Sequence, residues 1–253
     1  MTCVSTETRG DLALLRMEHG KVQALDVELC QALTRAAREF EASSHKAAVL
    51  SGTGSCFSAG VDLRRILDGG AEYVARFLPA LDEMLATLFA LNKPLVAAIN
   101  GHAIAGGCVI ACACDWRVMG DENGRIGVPE LQVGVAYPWI ALEIMRIAVR
   151  PDVFQEMVFL GTQFEAADAR SKGVVHDLAP AAQVHGCAQE IAQRLAQIPR
   201  QAFALAKQQE RTRILQGWRA SSDHHARVLA LWQDPATHAS IREYLGKTLG
   251  KPR

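Results

Sequence analysis

Three short stretches of this 253-residue chain combine residue types that chemistry needs. In Cys56-Phe-Ser-Ala-Gly-Val-Asp-Leu63, Gly60 lets the backbone turn sharply and expose the amide of Val61 at the opening of a helix. In Asn100-Gly-His-Ala-Ile-Ala-Gly-Gly-Cys108, Gly106 and Gly107 permit close backbone approach, and the helix after them aims its positive end and free amides outward. Two such amides can polarise one carbonyl oxygen and hold an enolate as it forms, each donor being worth roughly 3–4 kcal/mol in a transition state. The third stretch, Ile126-Gly-Val-Pro-Glu-Leu-Gln-Val-Gly134, sets one carboxylate, Glu130, among apolar neighbours. Desolvation there would raise its pKa and make it a competent general base and acid. Taken singly, the glycines serve equally well as tight turns, and Glu130 as a surface residue beside a turn.

All three stretches follow predicted strands, the place where α/β sheets put ligands. Strands are expected at Val4–Thr8, Asp11–Met17, Ala47–Leu50, Pro94–Ile99, Trp116–Met119 and Val174–Leu178. Between them Asp26 can cap a helix carrying Leu29, Leu33, Ala36, Ala37 and Phe40 at helical spacing. A long amphipathic helix fits Tyr73–Leu91 ahead of Pro94, and a small-residue helix fits about Gly106 to Cys114. Alternation of this kind implies a mainly parallel sheet covered on both faces. After Pro151 the pattern turns helical: Phe154–Leu160, Glu165–Lys172 ending at Gly173, Ala181–Gln197, Ala202–Gln216, then patches at Val228–Trp232 and Ile241–Leu245. The expected organisation is an α/β core over 1–198 with a helical C-terminal extension over 199–253.

Composition narrows the function classes. Lys+Arg and Asp+Glu balance at 27 each, which leaves no electrostatic footprint for nucleic acid or a membrane surface. No apolar run is long enough to span a bilayer, and Met1–Asp11 lacks the apolar region of a secretory signal, so a cytoplasmic protein is expected. The seven cysteines, an odd number, sit mostly among apolar neighbours as reduced thiols do. Cys108-x-x-x-Cys112-x-Cys114 shares a helix face but lacks a second ligand pair, so core packing is expected and no metal. Gly52-x-Gly54 lacks the third glycine and the downstream acid of a dinucleotide fingerprint, which removes that class of oxidoreductase.

In combination the motifs CFSAGVDL, KPLVAAINGHAIAGGCVIACACDWRV and IGVPELQVG resemble the crotonase, or enoyl-CoA hydratase/isomerase, superfamily in order and spacing. The resemblance implies a crotonase-type β/α spiral of four turns with a helical trimerisation region, acting on acyl-CoA thioesters. It implies no cofactor beyond the CoA of the substrate, and a homotrimer or dimer of trimers. It places the oxyanion-hole amides on Val61 and Gly106, with Ala59, Gly60 and Gly107 beside them, and the contact to the CoA adenine near Ala24. Gln23 stands where an Asn is usual.

Two departures select among the chemistries. Hydratases of the family carry a first glutamate three residues after the oxyanion-hole glycine, and here that position is Val109. The glycine-rich run after the second glutamate is replaced by Val135-Ala-Tyr-Pro-Trp139. Both features resemble the mitochondrial-type Δ3,Δ2-enoyl-CoA isomerases, which keep a single glutamate at the position of Glu130. Hydration divides its proton and water work between two carboxylates. Moving a double bond from C3 to C2 needs one base and an oxyanion hole, and an apolar Val109 helps keep water out. Isomerisation by Glu130 is therefore the expected activity. The alternatives are other single-glutamate reactions of the superfamily (weak hydration, C–C bond formation or cleavage) and a non-catalytic acyl-CoA-binding protein.

Other residues are open to two readings each. His102 is a proton donor or a CoA contact, Asp62 a capping residue, and Asp115 a structural one. Glu143, on a helix expected after Pro138, is a candidate to line an acyl pocket, and Tyr137, Trp139 and Phe77 are either walls of that pocket or core. Lys207, Arg211 and Arg213 either meet CoA phosphates or form a solvated face.

Overall fold

The computed structural model describes residues 3–122 and 124–249, so the outermost residues of the expected 1–198 and 199–253 units, Met1 and Thr2 of the N-terminal stretch among them, lie outside the described residues. In chain order the elements are β1 (Val4–Arg9), β2 (Leu12–Met17), α1 (Val27–Ala42), β3 (Ala47–Ser51), β4 (Cys56–Ser58), α2 (Leu63–Ala90), β5 (Leu95–Ile99), β6 (His102–Ile104), α3 (Gly106–Ala113), β7 (Trp116–Gly120), β8 (Arg125–Gly127) and α4 (Glu130–Val133). There follow α5 (Trp139–Ala148), α6 (Pro151–Leu160), β9 (Gln163–Glu165), α7 (Ala166–Ser171), β10 (Asp177–Ala179), a 3-10 turn (Ala181–Gln183), α8 (Val184–Ala196), α9 (Arg200–Ala220), α10 (Ser222–Gln233) and α11 (Pro235–Leu249).

The strands make two sheets rather than the single one expected. The larger has the order β1-β2-β3-β5-β7-β10, parallel except for the β1–β2 hairpin. The smaller has the order β4-β6-β8-β9, parallel except for β9. Three times the chain runs up a long strand, passes a short turn into a three-residue strand of the small sheet, and then enters a helix: β3–β4–α2, β5–β6–α3 and β7–β8–α4. In a first, abbreviated turn the short strand shrinks to one bridge between Leu25 and Val61 before α1. The result is the β/α spiral that the motifs imply.

β3 and β5 are buried along their whole length, the pattern of central strands covered on both faces. On one face Leu12, Val49, Val96 and Val118 pack against Ala188 and Ala192 of α8. The other face carries the main core, into which α1 buries Leu29, Leu33, Ala36, Ala37 and Phe40. The Asp26 side chain caps α1 by accepting from the Leu29 amide at 2.8 Å. α2 starts ten residues earlier than expected and kinks at Gly70. Strand β10 forms three residues later than expected, and Glu165 belongs to β9 instead of opening α7. Helix α9 begins directly after the turn that ends α8, and α9, α10 and α11 all pack on α2.

Candidate active site

The small sheet explains why three distant stretches form one site. β4, β6 and β8 are neighbours and parallel, with Ser58 paired to Ala103 and Ile104 to Gly127. Residues Ala59–Val61, Ala105–Gly106 and Val128–Glu130 therefore leave the same sheet edge side by side, outside the carboxyl ends of parallel strands.

The first of these segments is fixed from two sides. The Leu25 amide donates to the Gly60 carbonyl at 2.8 Å, and the Asp62 amide donates to the Leu25 carbonyl at 2.9 Å. In a parallel bridge this pattern leaves the N–H of the intervening Val61 directed away from the Leu25 strand. Gly60 has φ +78°, and its amide donates to the Ser58 hydroxyl at 3.2 Å. A Cβ on Gly60 would stand 2.6 Å from the Ala105 Cβ and 3.1 Å from the Gly106 nitrogen, so the two segments are packed against each other. Only glycine meets both demands at this position.

The second segment opens α3. Gly106 is its first residue, so its amide has no partner inside the helix, and the eight-residue helix adds the positive end of its dipole. The chain enters through Ala105, which holds φ +54° while its own amide donates to the Gly127 carbonyl at 2.8 Å. Gly107 is pressed onto β4: a Cβ there would lie 2.3 Å from the Ser58 carbonyl oxygen. The only non-glycine residues with positive φ among those described are Ala105 and Gln23, and both flank this site. Backbone strain of this kind persists where the surroundings over-determine it, commonly at functional sites.

Glu130 opens α4 with only 9% of its surface exposed, and its Oε2 is shielded and has no hydrogen-bond partner among the described residues. Burial pushes its pKa up to about 8, opposed more weakly by its own backbone amide and by the Tyr137 hydroxyl. On α3 the Cys108 thiol is raised by its hydrogen bond to Cys112 and by burial, with a smaller contribution from the Glu130 charge. Val109, 1% exposed, sits on the same helix and adds no proton-transfer group. The arrangement brings one desolvated carboxylate and the opening amides of two segments to the same sheet edge, a combination that can move a proton next to a carbonyl whose oxygen is held.

The remaining sequence candidates fall into place. Ala24 is half-buried in the segment that pairs with Gly60–Asp62, and Ala59 is exposed beside it, so both lie at the mouth of the site. Tyr137 is buried, and its hydroxyl donates to the Val128 carbonyl at 2.8 Å, pinning the Glu130 segment. Burial and the Glu130 charge raise its own pKa. Asp62 caps α2 through the amides of Arg64 and Arg65. His102 is exposed. Glu143 bonds Arg146 at 3.1 Å on its own helix. Trp139 packs α5 on α9, within 2.7 Å of where a Gly217 Cβ would stand, and Phe77 lies in the core with Tyr73 and Trp232.

Lys207 and Arg211 correct the reading as a solvated face: each is 6% exposed and turned inward, Lys207 Nζ to Asp115 Oδ2 and Arg211 to Asp115 Oδ1, both at 2.8 Å. Arg213 stays exposed. No group of three or more His, Cys, Asp or Glu residues among those described is arranged to hold a metal ion. For two residues of the site, Ser58 and Gln23, the sequence reading gave no contacts. Ser58 donates to the Gln23 carbonyl at 2.8 Å and accepts from Gly60, and Gln23 Nε2 donates to the carbonyls of Thr53 and Cys56. A small polar residue three before Val61 was the available signal, but nothing in the sequence named its partners.

A family model described as enoyl-CoA hydratase/isomerase matches residues 7–247. The chain belongs to the enoyl-CoA hydratase/isomerase family. Among its relatives, a putative enoyl-CoA hydratase of Thermus thermophilus is 33% identical over 73% of this chain and 74% of that protein. The mitochondrial enoyl-CoA delta isomerase 1 of Mus musculus is 30% identical over 81% of this chain and 72% of its own length. The crystal structure of human mitochondrial delta3-delta2-enoyl-CoA isomerase superposes with a TM-score of 0.93 at 25% identity, covering 98% of both chains. The crotonase-type fold of this family member is thus shown, and hydratases and isomerases both stand among its relatives.

Proposed function

We propose that this family member is an enoyl-CoA isomerase that moves a double bond from C3 to C2 of an acyl-CoA thioester. The observation that carries the reading is the solitude of Glu130: one buried carboxylate beside the oxyanion segments, with Val109 where a second would stand. The Val61 and Gly106 amides hold the thioester oxygen. Ionised Glu130 takes a proton from C2, and the electron pair spreads through the thioester carbonyl and the C3–C4 double bond as a dienolate. The same carboxyl group, now protonated, delivers the proton to C4, and the double bond is left between C2 and C3. Val109 keeps that face of the substrate dry, and Ala24, Ala59 and Gly60 border the thioester's approach. No group beyond the CoA of the substrate is needed for any step. Exposed Phe159 and Leu160 beside α4 support assembly as a trimer or dimer of trimers.

The test is turnover of a 3-enoyl-CoA by the purified protein and by Glu130→Gln. Formation of the 2-enoyl thioester, reduced by about 10³-fold or more in the variant, is the expected result. An active Glu130→Gln protein would remove the proposed base. The Thermus relative named a putative hydratase keeps hydration as the second reading, which the same assay would register as 3-hydroxyacyl-CoA.

A further inference from the structure

Away from the Glu130 site, a cleft of about 410 Å³ opens between the start of β7, the end of α5 and the inner face of α9. Its volume lies in the range of about 300–1,000 Å³ usual for small-molecule sites. None of its lining residues belongs to the segments 59–61, 105–109 or 128–130.

Charge does not balance in this cleft. Arg117 is 4% exposed and donates to the carbonyls of Val174, Cys114 and Ala148, and no carboxylate among the described residues pairs with it. Lys207 and Arg211 share the one carboxylate of Asp115. Glu210 touches Arg211 Nε only at 3.4 Å and is itself 58% exposed, so it sits at the rim in water. Three desolvated cations thus line one cleft with a single half-buried carboxylate, that of Asp115, an expensive arrangement unless a counter-ion joins them.

Acceptors are also spent. Asp115 Oδ1 accepts from Arg211, and Oδ2 accepts from Lys207 and from the Leu95 amide. His176 accepts the Arg117 amide through Nδ1 at 3.1 Å, which leaves the ring hydrogen on Nε2. Burial, with the Arg117 charge, lowers the pKa of this histidine to about 4, so the neutral donor form persists at neutral pH. Lys207 also donates to the Lys93 carbonyl, and Arg211 Nη1 to the carbonyls of Phe89 and Ala113, so what remains is the positive charge with the second N–H of each Arg117 terminal nitrogen, the chemistry that binds oxyanions.

We propose that this cleft binds a phosphoryl dianion between Arg117, Lys207 and Arg211, at a site separate from the one carrying Glu130. The net excess of two buried positive charges matches a dianion, and their convergence on one cleft matches a compact one.

The experiment measures thermal stability and calorimetric binding with inorganic phosphate at neutral pH, against sodium chloride and malonate at matched ionic strength. Arg117 ties three carbonyls and its replacement is expected to unfold the chain, so the variants are placed at Ala206, an exposed lining position of α9. Phosphate is expected to raise Tm saturably by about 3 °C at concentrations well above Kd. Ala206→Glu, which sets a carboxylate at the mouth, is expected to weaken phosphate binding by about tenfold or more, and Ala206→Gln to retain it. Equal stabilisation by chloride, an undiminished response in Ala206→Glu, or equal or tighter binding of malonate would each overturn the assignment. A changed oligomeric mass in Ala206→Glu would overturn it too, in favour of a carboxylate supplied by a second copy of the chain.

Discussion

A carboxyl group whose burial raises its pKa to about 8 must be deprotonated before it can act as a base, and that single fact sets the residue-scale behaviour of Glu130. The kcat/KM for a 3-enoyl-CoA is expected to climb with pH through about 8 and then level off, because the free enzyme gains its ionised base over that interval. Stability moves the opposite way. Between the ordinary carboxylate pKa of 4.5 and the raised value, the folded chain binds a proton that the unfolded chain has released, so this group's contribution is full at low pH and lost as pH rises towards 8. Glu130→Gln has no such loss, and its denaturation midpoint relative to wild type should rise between pH 5 and pH 9 in matched buffers. Asp82, also buried and raised to about 7, slopes in the same sense but is common to both proteins and cancels from the difference. A variant that loses stability relative to wild type as pH rises would contradict a desolvated carboxylate at 130. Val109→Glu probes the same logic from the other side: it restores the second carboxylate position, and measurable 3-hydroxyacyl-CoA formation is its expected new product. Glu130 was legible as a candidate because a charged residue stood alone in an apolar stretch. The burial of its Oε2 without a hydrogen-bond partner was not, since that depends on how distant parts of the chain close around it.

At the scale of elements, the site depends on contacts between segments that the chain order separates. Gly60 marks the sharpest of them, and Gly60→Ala is expected to push the two oxyanion segments apart and cost roughly 10²–10³-fold in kcat, with a smaller change in KM. Steady-state kinetics on a folded variant read that split. The ion cluster under α9 is the second: Asp115→Ala leaves Lys207 and Arg211 buried without a counter-charge, and urea denaturation should show a loss of about 3–5 kcal/mol. The long strands and α1 were readable from unbroken apolar runs and from the Asp26 cap. The small sheet was not, because β4, β6, β8 and β9 are three residues each, too short to show a period and rich in residues that equally suit turns. Their existence rests on pairing with one another across the spiral, a tertiary fact. Lys207 and Arg211 misled for a related reason: a cation on a helix shows its charge in the sequence, but not the partner waiting at Asp115.

For the molecule as a whole, each turn of the spiral delivers one chemical group to one edge: the Val61 amide from β4, the Gly106 amide from β6, Glu130 from β8. A fold of this kind serves hydration and isomerisation equally, as the names of its relatives show, so what distinguishes the activity is which turns carry a carboxylate. Here one does. The motif spacing in the sequence was enough to recognise the fold; for the proposed trimer or dimer of trimers, light scattering is expected to give three or six times the 27.4 kDa chain mass, and the mass of a single chain would contradict it. The central claim, one carboxylate moving a proton between C2 and C4, is tested most directly by giving the enzyme a 3-enoyl-CoA deuterated at C2 in ordinary water enriched in oxygen-18. The account predicts a 2-enoyl-CoA that carries deuterium transferred to C4 and no oxygen-18, with the product absent in Glu130→Gln. Deuterium lost entirely to solvent, or oxygen-18 at C3, would contradict it.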